Sequence, residues 1–318
     1  MTERPIIVVG IGGNAIIQEG QRGTIEEQFV NITKTCDPIL DLVEEGYQVV
    51  MTHGNGPQVG NLLFRAEAVA GELPVDPLDV CVAQTQGMLG YMIQQVLRNR
   101  IRLRGLKTKV ATIITQVVVD ADDPAFQNPT KPVGPFFSKE RANTLSRERG
   151  HVFVEDAGRG HRRVVPSPKP VDVVEKTAIR LLVQNEVLTI AVGGGGIPVI
   201  RDGKEQLQGM AAVIDKDLAA GILAKQIKAD YFIVLTGVEK VALNFGTPLQ
   251  VELDEITVSQ AKEYLQQGHF PAGSMGPKIE AAVSFVEDGG SRSVITHIDK
   301  LKEAFEGKTG TCIIPDTA

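Results

Sequence analysis

"PIIVVGIGG", residues 5–13, sets how the rest of the chain is read. Its β-branched run shows no polar alternation, the pattern of a strand covered on both faces. It ends on glycines, and a helical segment follows from Thr24, where Glu27 three residues on completes a capping box. Pro38 is expected to kink or split that helix. The alternation then repeats. "YQVVMTH" (47–53) reads as a second strand, two helices cover 57–104, and "KVATIITQVVVD" (109–120) reads as a third strand. Further on, "VDVVEKTAIRLLVQN" is expected to be helical, "LTIAVGGGG" a strand, "DKDLAAGILAKQIKA" a helix and "YFIVLTGV" a strand. Helices over "TVSQAKEYLQQG", "PKIEAAVSFVEDGG" and "KLKEAFEG" and strands over "SVITH" and "GTCIIP" complete the chain. Such β–α order predicts a largely parallel sheet with helices on both faces. No short-period internal repeat interrupts it.

Residues 122–170 differ in texture. They hold seven prolines and many charges, yet also apolar pieces such as "VGPFF" and "HVFVEDAG". That mixture favours a small ordered subdomain over a linker.

The bulk numbers fit a globular α/β chain. There are 318 residues, 42% hydrophobic and 23% charged, enough for a sizeable core. A net charge of −6 speaks against a general nucleic-acid binder, but a few local lysines suffice for a phosphate ligand. Cys36, Cys81 and Cys312 are odd in number and match no metal spacing, which points to a reduced, cytoplasmic protein whose cysteines are small buried apolar residues. No signal peptide is visible, and the apolar runs are strand length, too short to cross a membrane.

Three glycine clusters sit where predicted strands end: Gly10, Gly12 and Gly13; Gly54 and Gly56; Gly193 to Gly196. In open α/β sheets ligands bind at that edge. Glycines there let backbone amides approach an anion closely. One such cluster is most simply an ordinary turn; three at equivalent strand ends favour a shared anion site. "GIGGNA" fits a dinucleotide fingerprint formally, but the second strand closes on Thr52-His53-Gly54 without the acid that a ribose needs. "GKT" at 307–309 is not a P-loop, because Lys302 stands where the first glycine belongs.

Three lysines have unusual settings. Lys216 lies between Asp215 and Asp217 at a predicted helix start, Lys278 begins another helix behind glycines, and Lys131 lies in the proline-rich excursion. A lysine at a helix N-terminus opposes the dipole. Any one alone reads as a surface lysine. Together, beside glycine turns, they suggest neutralisation of a transferring phosphoryl group. Asp217 could orient Lys216 or help hold magnesium, and Asp215 could do either equally well. His53 reads as a structural histidine.

Longer motifs then carry a resemblance. "GGNA", "THGNGPQVGN", "NPTKPVGPF", "RRVVPSPKP", "GGGGIPV", "AVIDKDLA", "LTGVEKV" and "GHFPAGSMGPKIEAA" occur in order between residue 6 and about 314. They resemble carbamate kinase, of the amino acid kinase superfamily. The resemblance implies a single α/β/α domain over 1–318 with a mainly parallel sheet, a protruding lid at 122–170 and a homodimer. It implies the reaction of ATP with carbamate to give ADP and carbamoyl phosphate, with Mg²⁺, as in arginine fermentation. Gly12, Gly13, Asn14, Gly54, Asn55 and Gly56 would hold carbamate and the transferring phosphoryl. Lys131, Lys216 and Lys278 would neutralise it, with Asp217 orienting lysines. Gly194, Gly195, Thr236, Gly237, Val238 and Met275 would line the nucleotide side. The chain departs from the family pattern at Ala211, where a glutamate is usual, and in reading "GIGGNAI" where "ALGGNA" is commoner.

Two other readings remain open at this stage. One is a superfamily kinase acting on an amino acid such as N-acetylglutamate; the match of segment 122–170 to carbamate kinase speaks against it. The other is a catalytically silent nucleotide-binding regulator; retention of the three lysines and Asp217 speaks against that.

Overall fold

The computed structural model describes residues 4–316 apart from Glu19, Ala157 and Ala272, and at Asn14 the backbone alone. The first strand, β1 (Ile6–Ile11), is buried along its whole length. It is flanked by β2 (Gln48–His53), and the main sheet continues with β3 (Lys109–Thr112), β4 (Val187–Ile190), β5 (Tyr231–Thr236), β6 (Glu255–Thr257), β7 (Arg292–His297) and β8 (Thr311–Ile314). The strand order is β6-β8-β7-β5-β1-β2-β4-β3, and every pair is parallel except β7 with β8. The helices are α1 (Ile25–Glu44), α2 (Gly56–Ala68), α3 (Leu78–Leu103), α4 (Lys139–Arg149), α5 (Lys176–Gln184), α6 (Lys216–Gln226), α7 (Val258–Gln266), α8 (Met275–Glu287) and α9 (Leu301–Phe305).

Alternate residues of β1 serve two cores, as strand geometry requires. Ile7, Val9 and Ile11 pack with α1, α3 and α9 through residues such as Ile39, Leu89 and Leu301. Ile6 and Val8 pack with α5, α6 and α8 through residues such as Ile179, Leu223 and Ile279. The result is a three-layer α/β/α sandwich.

The Thr24 capping box is formed, with the Thr24 hydroxyl accepting from the Glu27 amide and the Glu27 carboxylate accepting from the Thr24 amide. Pro38 does not split the helix, which runs unbroken over twenty residues. Its inner face, with Cys36, Ile39 and Leu40, is fully buried, while Lys34, whose carbonyl loses its partner, is exposed to water.

The expected strand 109–120 is two strands in two sheets: β3, and Gln116–Val119. The latter joins Leu207–Gly209, Ile197–Arg201 and Pro170–Val173 in a second, four-stranded sheet. The chain changes sheet at Ile113–Thr115, where the Gln86 side chain binds both the amide and the carbonyl of Thr115. The segment expected to be helical from Val171 likewise begins as a strand, and α5 starts only at Lys176.

Within residues 122–170, Lys131–Phe137, His161–Val165 and Val152–Glu155 form a three-stranded antiparallel sheet beside α4. This small sheet rests on α2. There Gly60 and Gly134 meet backbone to backbone, and Gly134 takes a left-handed conformation (φ 74°). A Cβ on Gly60 would fall inside the Gly134 amide. Of the cysteines, Cys36 and Cys81 are buried and Cys312 is only partly so. Among the described residues no helix is long and apolar enough to cross a membrane.

Candidate active site

The three glycine clusters do converge at one edge of the main sheet. β1 and β2 run parallel in register, Gly10 beside Thr52 and Ile11 beside His53, so their glycine turns lie side by side. The Gly54 amide donates to Ile11 O (3.2 Å). A Cβ on Gly54 would lie 3.2 Å from Cδ of Lys216, so this glycine leaves room for the lysine stem. A Cβ on Gly13 would meet nothing within 4 Å, so that turn opens outward.

Lys216 is the first residue of α6, and Lys278 lies in the first turn of α8. Both reach Asp217. The Lys216 Nζ donates to Oδ1 (2.5 Å) and the Lys278 Nζ to Oδ2 (2.6 Å). Asp217 is 3% exposed. Lys131, from the small sheet, donates to Asp215 Oδ2 (2.5 Å). Asp215 is also the N-cap of α6, its Oδ1 accepting the amides of Asp217 and Leu218. The five groups carry three positive and two negative charges, a surplus of one cation.

Burial acts against the charges of Asp215, Lys216, Asp217 and Lys278, and their pairing decides the outcome. Burial lowers Lys216, and the neighbouring Lys278 lowers it further, to about 8 despite the pull of Asp217. For Lys278, burial is outweighed by Asp217, so its pKa is raised. Asp217 and Asp215 are likewise pushed up by burial but end below the ordinary carboxylate value, held there by Lys216 and Lys278 and by Lys131 and Lys216 respectively. Both carboxylates remain ionised at neutral pH.

A further layer holds this arrangement from below. The Asn55 side chain donates to Thr85 Oγ1 (2.8 Å) and lies against Gly194. Gln86 donates to Gly193 O (2.9 Å), and the Thr115 hydroxyl accepts the Val192 amide. His53 is 1% exposed, its Nδ1 bonded to Gly54 O (3.0 Å), and burial lowers its pKa to about 4. It is a neutral structural residue beneath Gly193. Gly194 and Gly195 are buried with φ of 67° and 90°, one against Asn55 and the other against the carbonyl of Ile214. They are close-packing points, a role the sequence reading did not give them. Thr236 ends β5, Gly237 is exposed and Val238 half-buried, and Met275 opens α8 against the core. The side chain of Asn14 lies outside the described atoms.

A donor set of lysines and strand-end glycines around paired carboxylates suits phosphoryl transfer, in which the protein mainly positions and neutralises. A model of the amino acid kinase family matches residues 5–297.

The chain belongs to the amino acid kinase family.

Within that family its relatives are specific. Carbamate kinase from Pyrococcus furiosus is 52% identical over 97% of this chain and 99% of its own length. Carbamate kinase from Giardia lamblia bound to citric acid superposes with a TM-score of 0.94 at 41% identity, covering 99% of this chain and 100% of that one. The Giardia lamblia enzyme bound to AMP-PNP gives 0.91 at 42% identity, with the same coverage.

Of the residues singled out in the sequence, Lys216, Lys278 and Asp217 form one cluster, with Lys131 joined through Asp215. Thr85, Gln86 and Thr115 escaped sequence reading. Nothing local distinguishes them, since Gln86 acts on residues 29 and 107 positions away.

Proposed function

We infer that this chain catalyses reversible phosphoryl transfer between ATP and carbamate, giving ADP and carbamoyl phosphate. The observation that carries this is the meeting of Lys131, Lys216 and Lys278 from three distant segments at one sheet edge. Its full-length likeness to carbamate kinases selects the acceptor.

In this reading a carbamate oxygen attacks the γ-phosphorus while the bond to the ADP oxygen breaks. The nucleophile is already anionic, so no general base is needed, which agrees with a neutral, structural His53. Charge spreads over three phosphoryl oxygens, and the ammonium groups of Lys216, Lys278 and Lys131 meet it. Asp217 keeps the first two lysines apart and aimed. Gly12, Gly13, Asn14, Gly54 and Gly56 supply backbone donors to carbamate and the phosphoryl, with the free amides of the α2 N-terminus close by. The Asn55 side chain spends one amide hydrogen on Thr85, which leaves its second N–H and its backbone amide as donors. Thr236, Gly237, Val238 and Met275 line the nucleotide side, with Gly194 and Gly195 supporting it from beneath. The lid 122–170 closes over the phosphoryl and carries Lys131.

Magnesium belongs to the substrate here. Among the described residues no group of three His, Cys, Asp or Glu could hold a metal, and both carboxylates are engaged by lysines. The ion would arrive on the nucleotide phosphates, as is usual for magnesium. Assignment to a cytoplasmic homodimer in arginine metabolism follows the same resemblance.

The test is ATP formation by purified protein from ADP, Mg²⁺ and carbamoyl phosphate, compared with N-acetylglutamyl phosphate or acetyl phosphate as donor. Preference for carbamoyl phosphate is expected. ADP binding with no turnover of any donor would sink the reading and leave a nucleotide-binding regulator.

A further inference from the structure

The two aspartates flanking Lys216 do different work. Asp217 takes two lysines, while Asp215 takes the lid lysine and an amide pair of α6. We propose that Asp215 is the positioning residue for Lys131, fixing the lid's ammonium and registering the lid against the helix that carries Lys216. The proposal rests on the phosphoryl-transfer reading and extends it to a residue that the reading leaves without a role.

The argument begins with the anchor. The Oδ1 of Asp215 is bound to the amides of Asp217 (2.9 Å) and Leu218 (3.4 Å), which leaves Oδ2 aimed in one direction. A carboxylate at a helix N-terminus is held by the dipole as well as by those bonds. Lys131 meets that fixed oxygen, and the pair is largely shielded, with side chains 29% and 15% exposed. A freely solvated pair would matter little; this one has a rigid partner.

The second link runs through the backbone. Lys131 opens one strand of the small sheet and lies opposite Val165 on the next. Immediately after Val165, the carbonyl of Pro166 accepts the Val213 amide (2.9 Å). Both strands of the lid's root therefore grip the segment 213–215. The next two residues are Lys216 and Asp217. An error in lid placement is converted at this joint into an error in where Lys131 stands relative to Lys216.

The third link is valence. An ammonium has three N–H donors. One serves Asp215, and two remain for an arriving phosphoryl oxygen, so Asp215 need not release Lys131 during turnover.

Asp215→Asn tests this, because asparagine caps a helix as well as aspartate does. With its oxygen kept on the helix amides, it must turn its NH₂ toward Lys131 and lose the contact. The expected result is a fall in kcat of about tenfold or more, with the ADP dissociation constant and the thermal midpoint nearly unchanged. Lys131→Ala should fall similarly, and the double variant should be no worse than the poorer single one, since both remove the same placed charge. Asp215→Ser, another good cap without charge, should repeat the pattern. Normal turnover in Asp215→Asn would overturn the proposal, as would losses that multiply in the double variant. A lowered melting midpoint in both Asp215 variants, with Lys131→Ala fully active, would reduce Asp215 to a helix cap. A wild-type protein that makes no ATP would instead refute the functional reading.

Discussion

The floor of the proposed site and the small sheet proposed as its lid are held by different means. In the floor, four successive glycines lie against fixed groups: Gly193 on the His53 ring, Gly194 on Asn55, Gly195 on the Ile214 carbonyl and Gly196 on Val117. Gln86 and Thr115 clamp the same turn with buried hydrogen bonds. Nothing there can shift without losing packing or leaving a buried polar group unpaired. The lid rests on the Gly60–Gly134 backbone contact, on the Pro166 carbonyl that accepts the Val213 amide, on Val133 and Val165 packed with Val59 and Leu63 of α2, and on charges around that apolar seam. Glu67 of α2 receives Arg163 (2.6 Å) and Arg149 (3.5 Å) from it, with the His151 ring, held neutral by burial, 3.3 Å away, and Asp215 receives Lys131. The Glu67 pairs can be re-aimed with little loss, whereas the interlocked floor cannot; the Asp215 pair, anchored on α6, sets where the lid docks. The contrast fits a preorganised floor and a lid able to adjust to an anion.

The largest effect should come from the floor. Lys216→Met keeps most of the stem and removes the charge. A transition-state cation in phosphoryl transfer is worth about 10³-fold or more, so turnover should drop by about that factor while ADP affinity changes little. Arginine should rescue poorly, because the stem runs 3.2 Å from where a Gly54 Cβ would stand and a planar fork has no such slot. Steady-state ATP formation and ADP titration check both statements. A methionine variant within a few-fold of normal would leave Lys278 as the main floor cation.

A smaller effect is expected at the lid's pivot. Gly60→Ala suits a helix interior by propensity, but its Cβ would collide with the Gly134 amide and the Val133 carbonyl carbon. Those are backbone atoms, so the lid strand must move. A displacement near 1 Å can lower turnover by about 10²-fold; tenfold to a hundredfold is the expected range here, at about 1–3 kcal/mol in stability. Binding of ADP, governed by the floor, should survive. Unaltered turnover would show that the lid adjusts freely and that its seat on α2 does not set where Lys131 stands.

The floor was also the more legible part of the sequence, for a physical reason. Strand ends, glycine turns and the Thr24 capping box are local signals, and they were placed where they occur. Continuous apolarity misled where topology intervened: residues 109–120 look like one strand, yet Gln86, far upstream, pins a sheet change at Thr115. The short strands 197–201 and 207–209 carry too little pattern to be seen. For the charges, motif and spacing brought Lys216, Lys278 and Asp217 forward. The division of labour between Asp215 and Asp217 could not be read, because the partner of Asp215 lies 84 positions away. Glu67 went unnoticed for the same reason, its partner Arg163 being 96 positions on.

The smallest effect should come from titration, which moves no atom at the start. Lys216 is lowered from 10.5 to about 8, by burial first and by Lys278 second. It must be protonated to neutralise the phosphoryl, so it is mostly competent at pH 7 and half competent near its own pKa. kcat/KM should therefore decline on the alkaline side, with a midpoint near 8, since that ratio reports the free enzyme. kcat should decline later, because a bound anion stabilises the ammonium and raises its pKa. Between pH 7 and 8 the loss is only about twofold, hence its place last. Two profiles with separated alkaline limbs, the kcat limb higher, would tie the charge to the floor lysine, and Lys216→Met should lose the limb altogether. Coincident limbs would mean that the bound anion does not reach Lys216, and no limb below about pH 9.5 would mean that Asp217 holds Lys216 charged more firmly than its burial allows. Floor and lid would then differ in packing but not in electrostatics.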